Sequence, residues 1–241
     1  LKTVGRLEGL ARGENLHSAR FMGDRCYLVT FKKTDPLFVI GLEDPSKPGV
    51  LGQLEIPGYS DYLQPYDEEH LIGVGKETVE DSSGSFAWYQ GVKIALFDVS
   101  NVSQLEQIDN YTIGDRGTDT PVLSDHKALL FSESKSLLAL PILLAEINPK
   151  NYPGGVVPPY AYGDYVWQGA YVFNVTLGGF VLKGGITHLN VTDLVNGYYF
   201  TSVYFVKRIL YIDDVLYTVS DRLVKMNSLQ DLAELGSVAL P

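Results

Sequence analysis

The chain has 241 residues and is acidic, because 19 Lys and Arg residues against 29 Asp and Glu residues give a formal net charge of −10. This balance excludes a nucleic-acid partner, since neutralising a phosphate backbone requires clustered cations. No apolar run reaches the roughly 20 residues that span a bilayer, so we expect no membrane span. Because Leu1 is not an initiator Met, we expect the chain to be processed or excised from a longer one, with any upstream targeting signal removed.

Short segments rich in Val, Leu, Ile and aromatic residues recur along the chain, each followed by a polar turn. Three columns of four such segments align, at residues 19–22, 63–66, 128–131 and 209–212, then 27–30, 71–74, 137–140 and 216–219, then 38–42, 95–99, 171–175 and 223–227. Self-similarity at a period of a few tens of residues in β-rich units is typical of propellers and solenoids. We therefore predict an all-β fold, a β-propeller with four blade-like repeats of four-stranded antiparallel meanders.

A further column, placed first in each repeat, has five members, at residues 4–7, 51–54, 108–111, 183–186 and 235–238. The repeats are then approximately 1–50, 51–107, 108–182 and 183–234, with a terminal strand at 235–241, in a single propeller domain or partial propeller. A four-bladed ring closed by strand exchange needs only four such strands. The spare strand predicts that residues 1–10 complete a blade lying upstream, so that the chain is part of a larger propeller. The alternative is a four-bladed ring in which one terminal strand pairs elsewhere.

An open arc of blades would leave the sheet edges and faces at its two ends exposed to solvent. We therefore expect the chain to self-associate through its open propeller edges.

Two repeats carry insertions between their third and fourth strands, at residues 77–91 and 149–169. Loops on a rigid scaffold concentrate binding residues, and exposed Tyr and Trp are enriched at interfaces. The aromatic side chains of the two insertions are therefore candidates for binding a partner at one rim: Trp88, Tyr89, Tyr160, Tyr162, Tyr165 and Trp167. Alternatively, these aromatic side chains fold back and cover neighbouring blades.

The starts of the innermost strands would ring a central channel. The polar residues there are the channel candidates: Asp61, Tyr62, His126, Lys127 and Arg208. His126 has the chemistry of a metal ligand or a general base. The four histidines nevertheless occur singly in different repeats, which favours structural hydrogen bonding. Acidic hairpin turns such as Asp213-Asp214 lack the spacing of a calcium loop. We predict no metal and no cofactor, and the familiar catalytic motifs are missing from the sequence.

Four asparagines lie in tripeptides of the glycosylation type: Asn101, Asn110, Asn174 and Asn190. Asn174 shares a turn column with Gly41, Asp98 and Asn227, residues that either tolerate a positive φ or cap the next backbone amide, and this shared turn accounts for it. The single cysteine, Cys26, opens an apolar run and is expected to be a buried core thiol.

Residues 5–11, 44–48, 56–62 and 125–128 resemble a family of secreted archaeal and bacterial proteins with a C-terminal β-propeller domain distantly related to WD repeats. The likeness runs from about Gly5 to Pro241. It implies an extracellular or cell-surface propeller of uncharacterised activity, usually longer than 241 residues, with this segment matching its C-terminal part. The matching phrases belong to the scaffold, so the resemblance supplies no functional residues.

The sequence favours a non-catalytic binding or scaffolding module that engages a protein or glycan outside the cell, although fold alone does not establish function. The alternative is a hydrolase or lyase that uses the channel residues. A third hypothesis is that this segment only packs against the rest of a longer protein. Convergence of the channel side chains around a concave site would favour the enzyme.

Overall fold

The computed structural model describes residues 2–31, 35–81, 86–190 and 201–241. These residues form four antiparallel four-stranded sheets, with five short 3-10 turns and, in the described ranges, no α-helix. Every sheet is built from four strands that are consecutive in the chain, so each is a meander. The all-β prediction with four blade-like repeats is therefore confirmed. The chain divides into two compact units, Leu1–Tyr89 with Lys93–Thr112 and Gln90–Val92 with Ile113–Pro241.

The first unit contains sheets 1 and 2, with residues 90–92 and Ile113 of sheet 2 assigned to the other unit. Sheet 1 consists of β1 (Asn15–Met22), β2 (Arg25–Phe31), β3 (Asp35–Gly41) and β4 (Gly49–Ile56). Sheet 2 consists of β5 (Tyr59–Pro65), β6 (His70–Glu80), β7 (Ala87–Asp98) and β8 (Glu106–Ile113). Alternate residues of β2, such as Tyr27 and Val29, face sheet 2 and pack with Leu63, Leu71 and Phe97. Each such side chain stabilises the fold by about 1.5–3 kcal/mol when it is fully buried.

The opposite face of sheet 1 is covered by the segment that precedes it. Cys26, Phe38 and Ile40 are buried on this face, and Leu7 and Leu10 pack against them. The predicted buried thiol is confirmed, and burial raises the pKa of Cys26. The covering segment is not itself paired in a sheet.

Residues 4–7 therefore form no strand with the described residues of this chain, and whether residues 1–10 complete a blade lying upstream stays a prediction. A side chain at Gly5 would collide with the Pro45 carbonyl and crowd Pro48, so the segment lies across the 44–48 turn instead of extending a ladder. The other members of that column are strands β4, β8, β12 and β16. Each is the last strand of its sheet and pairs with the strand that precedes it in the chain. Whether residues 1–241 form a single domain stays a prediction.

The second unit contains sheets 3 and 4. Sheet 3 consists of β9 (Leu130–Ser132), β10 (Leu137–Glu146), β11 (Asp164–Thr176) and β12 (Gly179–Ile186). Sheet 4 consists of β13 (Arg208–Ile212), β14 (Val215–Val219), β15 (Leu223–Ser228) and β16 (Glu234–Ala239). Their shared core contains Ala139, Val172 and Ile186 from sheet 3 and Ile209 and Leu216 from sheet 4.

Two buried polar side chains connect sheet 3, or the segment that follows it, to sheet 4 or the segment that precedes it. The Gln168 amide donates to the Val206 carbonyl and accepts from the Val206 N–H, both at 2.9 Å, as a neighbouring strand would. Beyond β12, His188 Nε2 lies 2.8 Å from Thr218 Oγ1 and Nδ1 lies 3.0 Å from Ser220 Oγ. These contacts satisfy polar groups that would otherwise be costly to bury.

The second face of sheet 4 is also apolar. Leu210 pairs with Tyr217, and Ile212 pairs with Val215, so these side chains share one face. Leu210 is 41 % exposed and Ile212 is 56 % exposed. Self-association through such a surface stays a prediction.

Candidate functional site

The second predicted insertion forms a loop between β10 and β11, and we call residues 149–163 the aromatic loop. It opens with two 3-10 turns, Pro149–Asn151 and Pro153–Gly155. Asn148 Oδ1 accepts from the Lys150 N–H at 3.0 Å, and the proline that follows Asn148 supplies a fixed φ for the first turn. The local sequence therefore favours an ordered start to this loop, with an asparagine cap and a proline in the first turn.

Tyr160 and Tyr162 are the most exposed aromatic side chains of this loop, at 60 % and 56 % of their surface. The Arg116 guanidinium lies 4.3 Å from the centre of the Tyr162 ring, and its Nη2 donates to Tyr162 Oη at 3.1 Å. A cation over an aromatic face is an attractive arrangement. Tyr162 is thus exposed but fixed.

The segment that carries Arg116 is itself tied to β10 and to the loop. Thr118 Oγ1 donates to the Ala145 carbonyl and accepts from the Ala145 N–H, both at 3.0 Å. The Gly163 N–H donates to the Arg116 carbonyl at 2.8 Å. Gly117 has a φ of +112°, a conformation that other residues rarely adopt. The segment beneath Tyr162 is therefore held by hydrogen bonds to β10 and to the aromatic loop.

Tyr165 and Trp167 lie at the start of β11 and are half-buried. The Trp167 ring covers two glycines of its own sheet, because a Cβ at Gly169 or Gly185 would come within 2.6 Å or 2.9 Å of the indole. The indole also lies 5.1 Å from the Tyr171 ring. Trp167 therefore packs on its own sheet, and whether it takes part in binding stays a prediction.

The aromatic side chains of the first insertion belong to the first unit, and residues 82–85 of that insertion lie outside the described residues. Trp88 is half-buried, with its ring 4.9 Å from Phe86. Tyr89 is 44 % exposed and lies 5.3 Å from Tyr59 and 6.0 Å from Phe31. Whether the two insertions share a rim stays a prediction.

Among the channel candidates, Asp61 and Tyr62 lie in the first unit. His17 Nδ1 is 2.8 Å from Asp61 Oδ1, and the His17 ring lies 4.4 Å from Tyr59. Tyr62 Oη donates to Gln64 Oε1 at 2.8 Å, and burial raises the pKa of Tyr62. The Asp61 carboxylate is thus oriented by a histidine at the edge of an aromatic cluster.

The other three channel candidates, His126, Lys127 and Arg208, lie exposed in the second unit. Asp125 brings them together, because it accepts from the Lys127 N–H at 3.0 Å and pairs with the Arg208 guanidinium. The backbone hydrogen bond from Lys127, with help from the Arg208 charge, holds the pKa of Asp125 below its usual value. This is a surface ion pair capping a short turn.

Throughout the described ranges, no three His, Cys, Asp or Glu side chains cluster so that they could hold a metal ion. No helix in those ranges is long and apolar enough to cross a membrane.

Residues 1–232 match the profile of the family described as "Beta propeller domain". The chain belongs to the beta propeller domain family. The resemblance inferred from the sequence is therefore confirmed at the level of the propeller family.

This propeller domain is similar to two archaeal proteins described as uncharacterised. It is 41 % identical over 141 residues to one from Methanocaldococcus jannaschii and 35 % identical over 141 residues to one from Archaeoglobus fulgidus. In both cases the match covers 58 % of this chain and 21 % of the relative. The aligned part is thus about a fifth of the length of these relatives.

Solved structures similar to the propeller domain include the WD40 domain of SCAP from fission yeast, at 14 % identity and a TM-score of 0.40, covering 94 % of this chain and 42 % of that one. The β-propeller domain of Nup133 from Vanderwaltozyma polyspora is 9 % identical with a TM-score of 0.40, covering 93 % of this chain and 56 % of that one.

The sequence did not indicate the role of Arg116, which holds Tyr162 in the aromatic loop of the propeller domain. A single arginine carries no repeat signal. The pair Gly114 and Gly117, both at positive φ, marks the tight turn that presents it. That spacing was the only local indication of a structured segment beneath the loop.

Proposed function

We propose that this propeller domain is a non-catalytic binding module that presents the aromatic loop to a protein or glycan partner outside the cell. Propellers commonly serve as binding scaffolds, which supports the coarse assignment. The extracellular or cell-surface location is supported by the resemblance of the scaffold phrases to a secreted family.

The proposal rests on the exposure of Tyr162 and on the contacts that hold its side chain in place. Its ring is more than half exposed, yet Arg116 holds it through both the ring face and the hydroxyl. An aromatic side chain fixed before binding loses little conformational freedom on association, so more of its contact energy appears as affinity. Tyrosine is also among the residue types enriched at interface hot spots.

Neighbouring groups extend this surface. Tyr160 and Val156 are exposed in the same loop, at 60 % and 74 %. An apolar and aromatic surface with hydroxyl groups at its edge suits either a protein patch or the face of a sugar ring. A domain with a formal charge of −10 would add electrostatic selection against acidic partners at low salt.

The test is a binding screen of the 241-residue chain against a glycan array and against solubilised archaeal cell-envelope proteins. The paired variants are Tyr160→Ala with Tyr162→Ala, and Arg116→Ala alone. Tyr204→Ala, which removes an exposed tyrosine outside the loop, is the matched control.

We expect the double variant to bind any ligand found at least about 10-fold more weakly, as expected when interface aromatic residues are truncated. Arg116→Ala should lose less binding affinity than the double variant, and the control should bind like the parent chain. Equal binding by all four proteins would show that the aromatic loop is not the binding surface.

A further inference from the structure

A second concave site lies in the same unit, at the other end of sheet 3. The aromatic loop follows the end of β10 at Glu146, whereas this cavity lies at the start of β10, where Ser136 and Leu137 line it. It is bounded on the other side by turns of sheet 4 and has a volume of about 360 Å³. Small-molecule sites in proteins span about 300–1,000 Å³, so the cavity accommodates a ligand of monosaccharide size.

The lining of the cavity carries more cations than anions. Lys135, Lys183 and Asp214 are its ionisable lining residues. Outside the lining, Asp213 acts more weakly on Lys135, and Asp231 interacts with Lys183. Lys135 Nζ pairs with Asp214 Oδ1 at 2.8 Å, but Asp214 is 87 % exposed, and exposed ion pairs are weak. Lys183 Nζ donates to the Leu229 carbonyl at 2.5 Å. An ammonium has three N–H donors, so both lysines retain donors for a ligand.

Asn174 supplies the observation that distinguishes this cavity from an ordinary gap between sheets. Its turn-column equivalent Asp98 caps its turn by accepting from Ser100. Asn174 does not, because Thr176 Oγ1 accepts from the Gly178 N–H and closes that turn. Asn174 also has no positive φ, so neither of the two roles expected from its turn column holds. Within the described part of the chain its amide makes no hydrogen bond, and it lines the cavity.

Two more polar side chains line the cavity in the same condition. The Gln230 amide and the Ser136 hydroxyl make no side-chain hydrogen bond to any described residue. Ser136 has a φ of +47°, which holds it at the tip of the β9–β10 turn. The lining thus offers two amides and a hydroxyl, each able to donate and to accept.

We propose that this cavity binds an acidic sugar residue, a hydroxyl-rich ring bearing one carboxylate. The two ammonium groups would pair with the carboxylate, since charge-assisted hydrogen bonds are the stronger ones. The amides of Asn174 and Gln230 would each donate to one ring hydroxyl and accept from another. A neutral sugar offers no carboxylate to the two ammonium groups, and a small inorganic anion leaves the amides unused. This proposal concerns a different surface from the aromatic loop and does not depend on it.

The experiment measures binding of sodium D-glucuronate and sodium D-galacturonate to the 241-residue chain by calorimetry and by chemical-shift titration. D-Glucose, D-galactose and sodium acetate are the comparison ligands. We expect saturable millimolar binding of at least one uronate, with its neutral sugar and acetate both at least 10-fold weaker. The absence of saturable uronate binding up to 50 mM would overturn the proposal, and so would equal binding of the neutral sugar.

Substitutions locate the site. Asn174→Ala and Lys183→Met should each weaken uronate binding about 10-fold, whereas Asn110→Ala on the exposed outer strand of sheet 2 should leave it unchanged. Asp214→Asn removes the one carboxylate among the described lining residues and should tighten binding about 3-fold. A gain of affinity cannot come from damage to the fold. Asp214→Asn therefore tests the role of charge in the cavity even if Lys183→Met proves unstable. Weaker binding by Asp214→Asn, or parent-like binding by Asn174→Ala, would contradict the assignment.

Discussion

His188 should make the stability of this chain fall as the solution is acidified. The ring is 8 % exposed and bonded to Thr218 and Ser220. Burial, with the nearby Lys225 ammonium as a second cause, lowers the pKa of His188 to about 4, while the Glu234 carboxylate acts in the opposite direction. The unfolded chain, with a histidine pKa near 6.5, then binds more protons than the folded chain between these two values.

The sign and the size of the effect follow from proton linkage. The stabilisation by neutral His188 is complete above pH 6.5, declines as the pH falls and is lost by about pH 4. With 1.4 kcal/mol per pKa unit, the loss between pH 7 and pH 5 amounts to about 2 kcal/mol at most. Water at the edge of the ring screens part of this, so we expect a loss of between about 1 and 2 kcal/mol.

Urea unfolding at pH 7.0 and pH 5.0 measures this loss when the parent chain is compared with His188→Gln. Glutamine can still bond Thr218 but does not titrate, so the variant should lose between about 1 and 2 kcal/mol less than the parent on acidification. Glu234→Gln should increase the loss, because it removes the carboxylate that favours the charged ring. Equal losses in parent and His188→Gln, within about 0.3 kcal/mol, would refute this reasoning.

Three further substitutions test the packing. Gly52→Ala should destabilise the chain by about 3 kcal/mol in urea unfolding, because the new methyl group would collide with the Val102 carbonyl; a parent-like midpoint would contradict this. Gln168→Leu should lower the free energy of unfolding by about 2–4 kcal/mol in the same assay, since it leaves the buried N–H and carbonyl of Val206 without hydrogen bonds. Gln168→Glu, which can still accept from the N–H, should recover at most half of that loss. Leu10→Asp should uncover Cys26 and speed its labelling by a thiol reagent about 10-fold, and an unchanged rate would show that the N-terminal segment does not protect the thiol.

The strand columns could be predicted because alternating apolar residues and polar turns are local signals. Residues 38–42, 137–140 and 216–219 all lie within strands or at their ends, as predicted. The pairing of the first column could not be predicted, because a strand with turns on both sides carries no mark of which sheet it joins. Residues 4–7 show a related limit, since an extended apolar segment can cover a sheet as well as extend one.

The candidate site was only partly predictable for a similar reason. Composition was enough to select the segment containing Tyr160 and Tyr162, because Pro, Gly and Tyr mark an exposed loop. The position of Trp167 depends on two glycines, Gly169 on its own strand and Gly185 on the next, which together leave room for the indole. The role of Asn174 depends on Thr176 having taken over its turn. Both facts depend on the packing of neighbouring groups and not on residue type alone.

The consecutive strand order of every sheet affects how the polypeptide acquires its structure during synthesis. Apart from the aromatic loop between β10 and β11, the connections between strands of one sheet are short, so the entropy cost of forming most hairpins is small and their rate is high. A nascent chain leaving the ribosome would therefore complete one sheet before the strands of the next had been translated. Ribosome-bound chains ending at Ile56, Ile113 or Ile186, each extended by a linker that carries this residue out of the exit tunnel, should show protease resistance of one, two and three sheets in turn.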